Sequence, residues 1–373
     1  MTEQRVIWVL GAGFSHSLGG PLLEGLFLYA LNERIVCNKA LQDVVTWDDL
    51  RPAACKYWGA HEGTTRLDLR DKEVNPHPRA WANAEEFLEY VDAAADGEIN
   101  AQSLIGALET MDSYEDLAKA ARQYLAASCE HFMVSATDAA RFERWRPYVR
   151  WADTLQPQDV VITFNYDRVV EVASTEPQSG YVMRQPWLPR GTRLDETGTR
   201  AMTNEEHAKL VSLDTARPHL LLKLHGSVNW QWLKGGAIDT CDVQDALGGR
   251  VRQAIALPGP TKAEHKTETS AIWTLARKAL EDADAIVFVG YGFPPTDADA
   301  RHTLLTAITD NPHHDLVVRT VLGPPSDRSR RVDHMLGWAL RRRDLGPSPE
   351  PLSEPLLAED FLSVFERQRL FER

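Results

Sequence analysis

A chain of 373 residues, 43% of them hydrophobic, can bury a full core, and its length suits roughly one to three domains. No stretch approaches the ~18 uninterrupted apolar residues of a membrane span, and the opening M-T-E-Q-R leads directly into a strand, so a cytoplasmic globular protein without membrane contact is expected. A net charge of −13 argues against a nucleic-acid platform, and four scattered cysteines (Cys37, Cys55, Cys129, Cys241) without a C-x-x-C pair suggest neither a disulfide framework nor a zinc site. No metal is expected.

In chain order, the first signal is V-I-W-V-L-G-A-G-F-S, Val6 to Ser15. An apolar run without polar alternation, Ile7 to Leu10, meets Gly11 and Gly13, and Leu22, Leu23, Leu26, Phe27, Ala30 and Leu31 then recur at helical spacing. Strand, glycine turn and helix together form a cradle suited to a dinucleotide phosphate. From Asp43 to Pro78 the sequence reads as irregular. At Asn83, with Glu86 three positions on, a capping box predicts a helix start, and residues 101–135 look helical as well. The block of about 60–154 is therefore expected to form an inserted helical layer.

Strand character resumes at Val160 with V-V-I-T-F, and residues 175–218, rich in Pro, Gly, Arg and Thr, predict a long surface excursion. His219 to Leu224 is the next predicted strand, ending in His225-Gly226-Ser227, and V-N-W-Q-W-L adds a short hairpin-like strand. Ala254 to Leu257 run into a P-G-P stop. An amphipathic helix over Ala271 to Leu280, a strand over Ala285 to Val289, a helix over Asp299 to Ile308, a strand over Leu316 to Leu322 and a helix over Val332 to Leu340 complete the core. Arg328, Arg330, Arg331 and Arg341 to Arg343 bracket that last helix and read as a solvated face, with a partner surface as the alternative. Alternating strands and helices predict an α/β fold, a Rossmann-like parallel sheet with helices on both faces.

In open parallel sheets ligands bind outside the carboxyl ends of the strands. Four predicted strands end in polar or glycine-rich motifs: G-A-G-F-S (Gly11 to Ser15), F-N-Y-D (Phe164 to Asp167), L-H-G-S (Leu224 to Ser227) and G-Y-G-F-P-P-T-D (Gly290 to Asp297). A dehydrogenase fingerprint fails, because position 16 is His16 instead of the third glycine and no strand ending in an acid follows about 20 residues on. No G-x-x-x-x-G-K-[ST] occurs either.

In the order and content of these four motifs, from residue 5 to about 322, the sequence resembles the sirtuin family, and within it the bacterial sirtuin-like proteins of antiphage defence that consume NAD. The resemblance implies one sirtuin-like NAD-binding domain over 1–373, with the helical insertion and a C-terminal helical extension of about 325–373. It implies that Gly11, Ala12, Gly13, Phe14 and Ser15 hold the pyrophosphate, that Asn165 and Asp167 sit at the nicotinamide-side ribose, that His225 is the catalytic histidine with Gly226 and Ser227 beside it, and that Gly290 and Tyr291 close over phosphate and ribose. It also implies a homo-oligomer or a partner, commonly a hexameric ATPase of the DNA-translocase type, with no direct nucleic-acid contact by this chain. The two C-x-x-C pairs of sirtuin deacylases are missing, and Gly20-Pro21-Leu22-Leu23-Glu24 keeps only the Gly-Pro of the stretch that follows the turn in those enzymes.

Cleavage of the nicotinamide–ribose bond expels a neutral group through a transition state like an oxocarbenium ion, as in glycoside hydrolysis. A histidine such as His225 suits proton removal, an amide such as Asn165 orients water and hydroxyls, and a carboxylate such as Asp167 opposes developing positive charge. The expected activity is NAD glycohydrolase, with NAD as substrate. A deacylase or ADP-ribosyltransferase, and a non-catalytic NAD or ADP-ribose binding module, are the alternatives.

Overall fold

The computed structural model describes residues 4–22, 26, 84–95, 97, 113–133, 139–175, 220–233, 238–256, 270–295, 297–343 and 350–372. The chain divides into two compact units, one of residues 1–19, 136–224 and 266–373, the other of 20–135 and 225–265.

The first unit is built on six parallel strands. They are β1 (Val6–Leu10), β2 (Val160–Thr163), β3 (Leu220–Lys223), β7 (Ala285–Val289), β8 (Val317–Val321) and β9 (Leu352–Glu354), in the order β3-β2-β1-β7-β8-β9. Every residue of β1 and of β7 is fully buried, which accounts for their unbroken apolar runs: a strand covered on both faces has no solvent side to alternate with. In register, Ile7 faces Val160 on one side and Ile286 on the other. The helices of this unit are α1 (Ala12–His16), α4 (Ala139–Thr154), α5 (Val169–Thr175), α7 (Ser270–Glu281), α8 (Ala298–Asp310), α9 (Asp327–Arg341) and α10 (Ala358–Val364). They pack as two groups, α4 with α5 and α10, and α8 with α7 and α9. From β1 the chain builds outward in one direction to β3 and later in the other to β9. With right-handed crossovers, that reversal puts the two helix groups on opposite faces.

The expected α/β parallel sheet is thus present, with two features the sequence did not signal. β9 is a three-residue edge strand whose residues are largely exposed, too short and too polar to stand out from the basic C-terminal region. The first helix is the five-residue α1, inside the glycine motif, where the leucine spacing pointed to residues 22–31. That stretch, apart from Leu22 and Leu26, lies outside the described residues, as do Cys37, Cys55, Asn83 and the 176–218 excursion.

The start of the sheet is tied by a buried carboxylate. Asp159, fully buried, accepts hydrogen bonds from the backbone N–H groups of Val6 (3.0 Å) and Gln156 (2.9 Å), and Arg367 grips both of its oxygens, Nη2 reaching Oδ1 at 2.9 Å. Replacing the carboxylate leaves two buried N–H donors without an acceptor and removes the partner of the half-buried Arg367 guanidinium, so Asp159→Ala should cost about 3–5 kcal/mol, read as a fall in the denaturation midpoint. Nearby, Trp8 packs edge-on against Trp151 and Phe365, with centroids 5.3 and 5.0 Å apart. The 3₁₀ turn Arg367–Leu370 and Phe365 thus anchor the C-terminal segment to the first strand.

The second unit carries an antiparallel sheet ordered β5-β4-β6, from β4 (Gly226–Trp232), β5 (Ile238–Thr240) and β6 (Gln253–Ile255), with helices α2 (Ala84–Ala95), α3 (Tyr114–Glu130) and α6 (Val243–Leu247). Helix α3 is capped by Ser113, whose side chain accepts from the N–H of Asp116, and Gln123 on it donates to the Leu247 carbonyl (3.1 Å), which closes the last turn of α6. The hairpin-like strand expected from V-N-W-Q-W-L is β4. Cys129 and Cys241 are free thiols; burial, with the carboxylates of Asp245, Asp242 and Asp239, pushes Cys241 up to about 11, so it is a neutral thiol at pH 7.

Candidate functional site

The strand order reverses between β1 and β7, and the carboxyl ends of these strands and of β2 carry Gly11 to Ser15, Gly290 to Gly292 and Phe164 to Asp167. In open parallel sheets a ligand crevice lies at such a switch point.

The two glycine motifs first of all accommodate each other. Gly11 N–H donates to the Val289 carbonyl and Gly13 N–H to that of Gly290, both at 3.1 Å, so the turn after β1 is laced to the end of β7. A Cβ at Gly290 would lie 2.3 Å from the Phe14 nitrogen and 2.4 Å from the Gly13 carbonyl carbon, and Gly290 has φ +66°. A Cβ at Gly11 would lie 2.7 Å from the Gly290 oxygen. The glycines are needed for this backbone approach, and the N–H groups of Gly11 and Gly13 are spent on it. Those two donors are therefore already committed within the fold.

Asn165 and Asp167 meet the same turn. Asn165 Nδ2 donates to the Gly11 carbonyl (3.0 Å) and to Ser15 Oγ (3.3 Å), while its own N–H donates to Thr163 Oγ1 (3.1 Å). Ser15 in turn hydrogen-bonds the Asp167 side chain, whose Oδ1 also accepts the Val169 N–H (3.1 Å). The F-N-Y-D loop is thereby an Asx-type turn into α5 as well as a polar cluster. Burial pushes the Asp167 carboxyl above the usual carboxylate range; the Lys223 ammonium, Ser15 and the Val169 N–H oppose this, and Glu171 adds to it. Phe14, in the turn, is fully buried against Tyr148 and Trp151 at 5.1 and 5.3 Å, and its carbonyl accepts from the Tyr148 hydroxyl (2.8 Å). Its ring belongs to the core.

Tyr291 is likewise committed to packing. It is 3% exposed, stacks on Phe164 with centroids 4.3 Å apart and rings 17° from parallel, and its hydroxyl donates to Asp297 Oδ2 at 3.4 Å. Asp297 is the N-cap of α8 by position, with no side-chain cap bond. The non-glycine φ of +50° at Phe293 falls in the same G-Y-G-F loop.

Gly11 to Ser15, Asn165, Asp167, Gly290 and Tyr291 therefore gather in the first unit. His225, Gly226 and Ser227 belong to the second, where they open β4. His225 is 7% exposed and its carbonyl accepts from the Ala256 N–H (3.0 Å); Gly226, φ +82°, pairs with Ile255; and Ser227 Oγ donates to Asn229 Oδ1 (2.7 Å). In sequence His225 directly follows Leu224, whose N–H donates to the Thr163 carbonyl at the end of β2. Among the described residues, no group of three or more His, Cys, Asp or Glu side chains is placed to hold a metal ion, and no helix is long and apolar enough to cross a membrane.

Residues 159–336 match the family model of the SIR2-like domain. The match runs from the base of β2 through most of α9, so it holds the F-N-Y-D, L-H-G-S and G-Y-G-F motifs and leaves β1 with its glycine turn outside. A SIR2-like domain implies binding or use of NAD. No curated protein matches the chain.

The sequence reading missed one functional candidate. Lys223, the last residue of β3, has a fully buried side chain and reaches the Asn165–Asp167 loop. Its signal was present, a lone cation closing the run L-L-L-K-L, but a strand-end lysine ordinarily turns to solvent.

Proposed function

We propose that this chain hydrolyses NAD to nicotinamide and ADP-ribose. The observation that supports this reading is the hydrogen-bonded chain Gly11–Asn165–Ser15–Asp167 at the strand ends beside the switch point, in a protein whose residues 159–336 match the SIR2-like domain.

The residues have the chemistry for it. As the glycosidic bond lengthens, its electron pair leaves with nicotinamide, and positive charge grows on the ribose ring. Asp167, as an anion in a water-poor setting, opposes that charge. Asn165, held by its Nδ2 bonds, would offer its Oδ1 acceptor to a ribose hydroxyl or the attacking water. Water adds to the anomeric carbon, and His225 accepts its proton. The missing C-x-x-C pairs favour water over an acyl-lysine as the acceptor. By its resemblance to antiphage NADases the activity would serve NAD depletion, gated by self-association or by a partner.

The test is incubation of the purified chain with NAD over a range of protein concentrations, with nicotinamide and ADP-ribose quantified by chromatography. Equimolar release of both, steeper than linear in protein, is expected. NAD-induced thermal stabilisation without nicotinamide would instead establish a binding module.

A further inference from the structure

A buried charge needs a reason. The Lys223 ammonium has no exposed surface, and burying an ion unpaired costs several kcal/mol. Its donors are directed at one loop and the helix that follows it: Nζ donates to the Asp167 carbonyl, to the Tyr166 carbonyl at 3.5 Å and to Glu171 Oε1 at 3.0 Å. An apolar residue would complete β3 more cheaply, since Leu220, Leu221 and Leu222 beside it are all buried. The cation is thus retained for what it holds.

We propose that Lys223 is the positioning residue for Asp167: its ammonium fixes the backbone of the Tyr166–Asp167 turn and supplies the counter-charge for the carboxylates of Asp167 and Glu171. This rests on the NAD-cleaving reading for its catalytic consequence, although the electrostatic part stands without it. The groups facing Asp167 are Lys223 from β3, Glu171 from α5, Ser15 from α1, and Tyr148 from α4, whose phenol senses the Asp167 charge and is itself pushed up mainly by burial. Lys223 is the one cation among these. Without it, the Asp167 carboxyl, already pushed up by burial, would hold its proton more strongly in the folded state. A carboxylate whose folded-state value lies above its unfolded one stabilises at low pH and loses that contribution as pH rises through the raised value.

The experiment compares melting temperatures from pH 5 to pH 8 for the wild type, Lys223→Gln, Lys223→Gln/Asp167→Asn and Lys223→Gln/Glu171→Gln. Glutamine keeps a donor for the two carbonyls and removes the charge. Lys223→Gln should lose stability progressively as pH rises, about tenfold in the folding equilibrium for each unit by which the Asp167 value moves, and Asp167→Asn should abolish most of that pH dependence. A loss of equal size at pH 5 and pH 8, or one abolished by Glu171→Gln and not by Asp167→Asn, overturns the proposal. If Lys223→Gln fails to fold at either pH, recovery of folding on adding Asp167→Asn supports it and failure to recover overturns it. In the activity arm, Lys223→Gln should lower kcat for nicotinamide release at least tenfold with KM for NAD within threefold, and move the acid limb of the pH profile upward; an unmoved limb counts against the role. A wild type silent toward NAD would sink the hydrolase reading while leaving the melting comparison to decide the role of Lys223.

Discussion

His225→Ala is expected to reduce nicotinamide release from NAD by about 10²- to 10⁴-fold, the usual contribution of a general base, while leaving the fold intact. The imidazole is the group suited to accept a proton from water at neutral pH: Asn165 and Ser15 do not titrate usefully, Asp167 is needed as an anion, and the Asp297 carboxylate is bonded to the Tyr291 hydroxyl. Two backbone ties at this position persist in the variant: the residue 225 carbonyl bound to the Ala256 N–H at 3.0 Å, and the pairing of Gly226 with Ile255. Chromatographic quantification of nicotinamide, with circular dichroism and melting as the fold control, gives the answer. Turnover within tenfold of the wild type removes His225 from the proposed mechanism.

Gly290→Ala should be the most damaging alanine substitution among the described glycines. A Cβ there meets backbone, 2.3 Å from one nitrogen and 2.4 Å from one carbonyl carbon, and backbone cannot rotate away as a side chain can. It also forces φ +66° on a residue with a Cβ, and the Gly290 carbonyl must stay in place to accept from Gly13 N–H. Strain of about 1–3 kcal/mol and overpacking of about 1–3 kcal/mol act together, so a loss of roughly 3–5 kcal/mol is expected in equilibrium denaturation. Gly97→Ala is the control: Gly97 has φ +75°, yet no described residue lies within 4 Å of its Cβ position, so it should show the conformational cost alone, about 1–2 kcal/mol. Equal losses at the two positions would mean that the contact between the glycine turn and β7 is softer than its geometry indicates.

These predictions bear on how the glycines of the opening motif are understood. Read along the chain, Gly11 and Gly13 are a phosphate cradle; in the fold they are also half of a backbone joint whose other half is Gly290, more than 270 residues later. Both roles require the same residue type, and so the sequence signal cannot separate them. Tyr291 and Phe14 show the same ambiguity. An aromatic residue after a strand-end glycine suits a ligand contact or a core, and the stack on Phe164 and the bond to Asp297 make Tyr291 a core residue here.

By itself the sequence determined the parallel sheet and the polar ends of its strands. A strand buried on both faces must be apolar throughout, and the turn that ends it must be polar or glycine, so both leave local patterns that survive without any knowledge of contacts. The apolar runs of Val6 to Leu10, Val160 to Ile162, Leu220 to Leu222 and Ala285 to Val289 are legible for that reason. Tertiary structure alone decided the strand order with its reversal at β1, the edge strand Leu352–Glu354, the joint between Gly13 and Gly290, and the burial of Lys223 beneath Asp167. Each of these is a pairing between residues far apart in the chain, in which the stabilising partner is a backbone carbonyl or N–H group. Every residue carries those groups alike, so no residue type announces them.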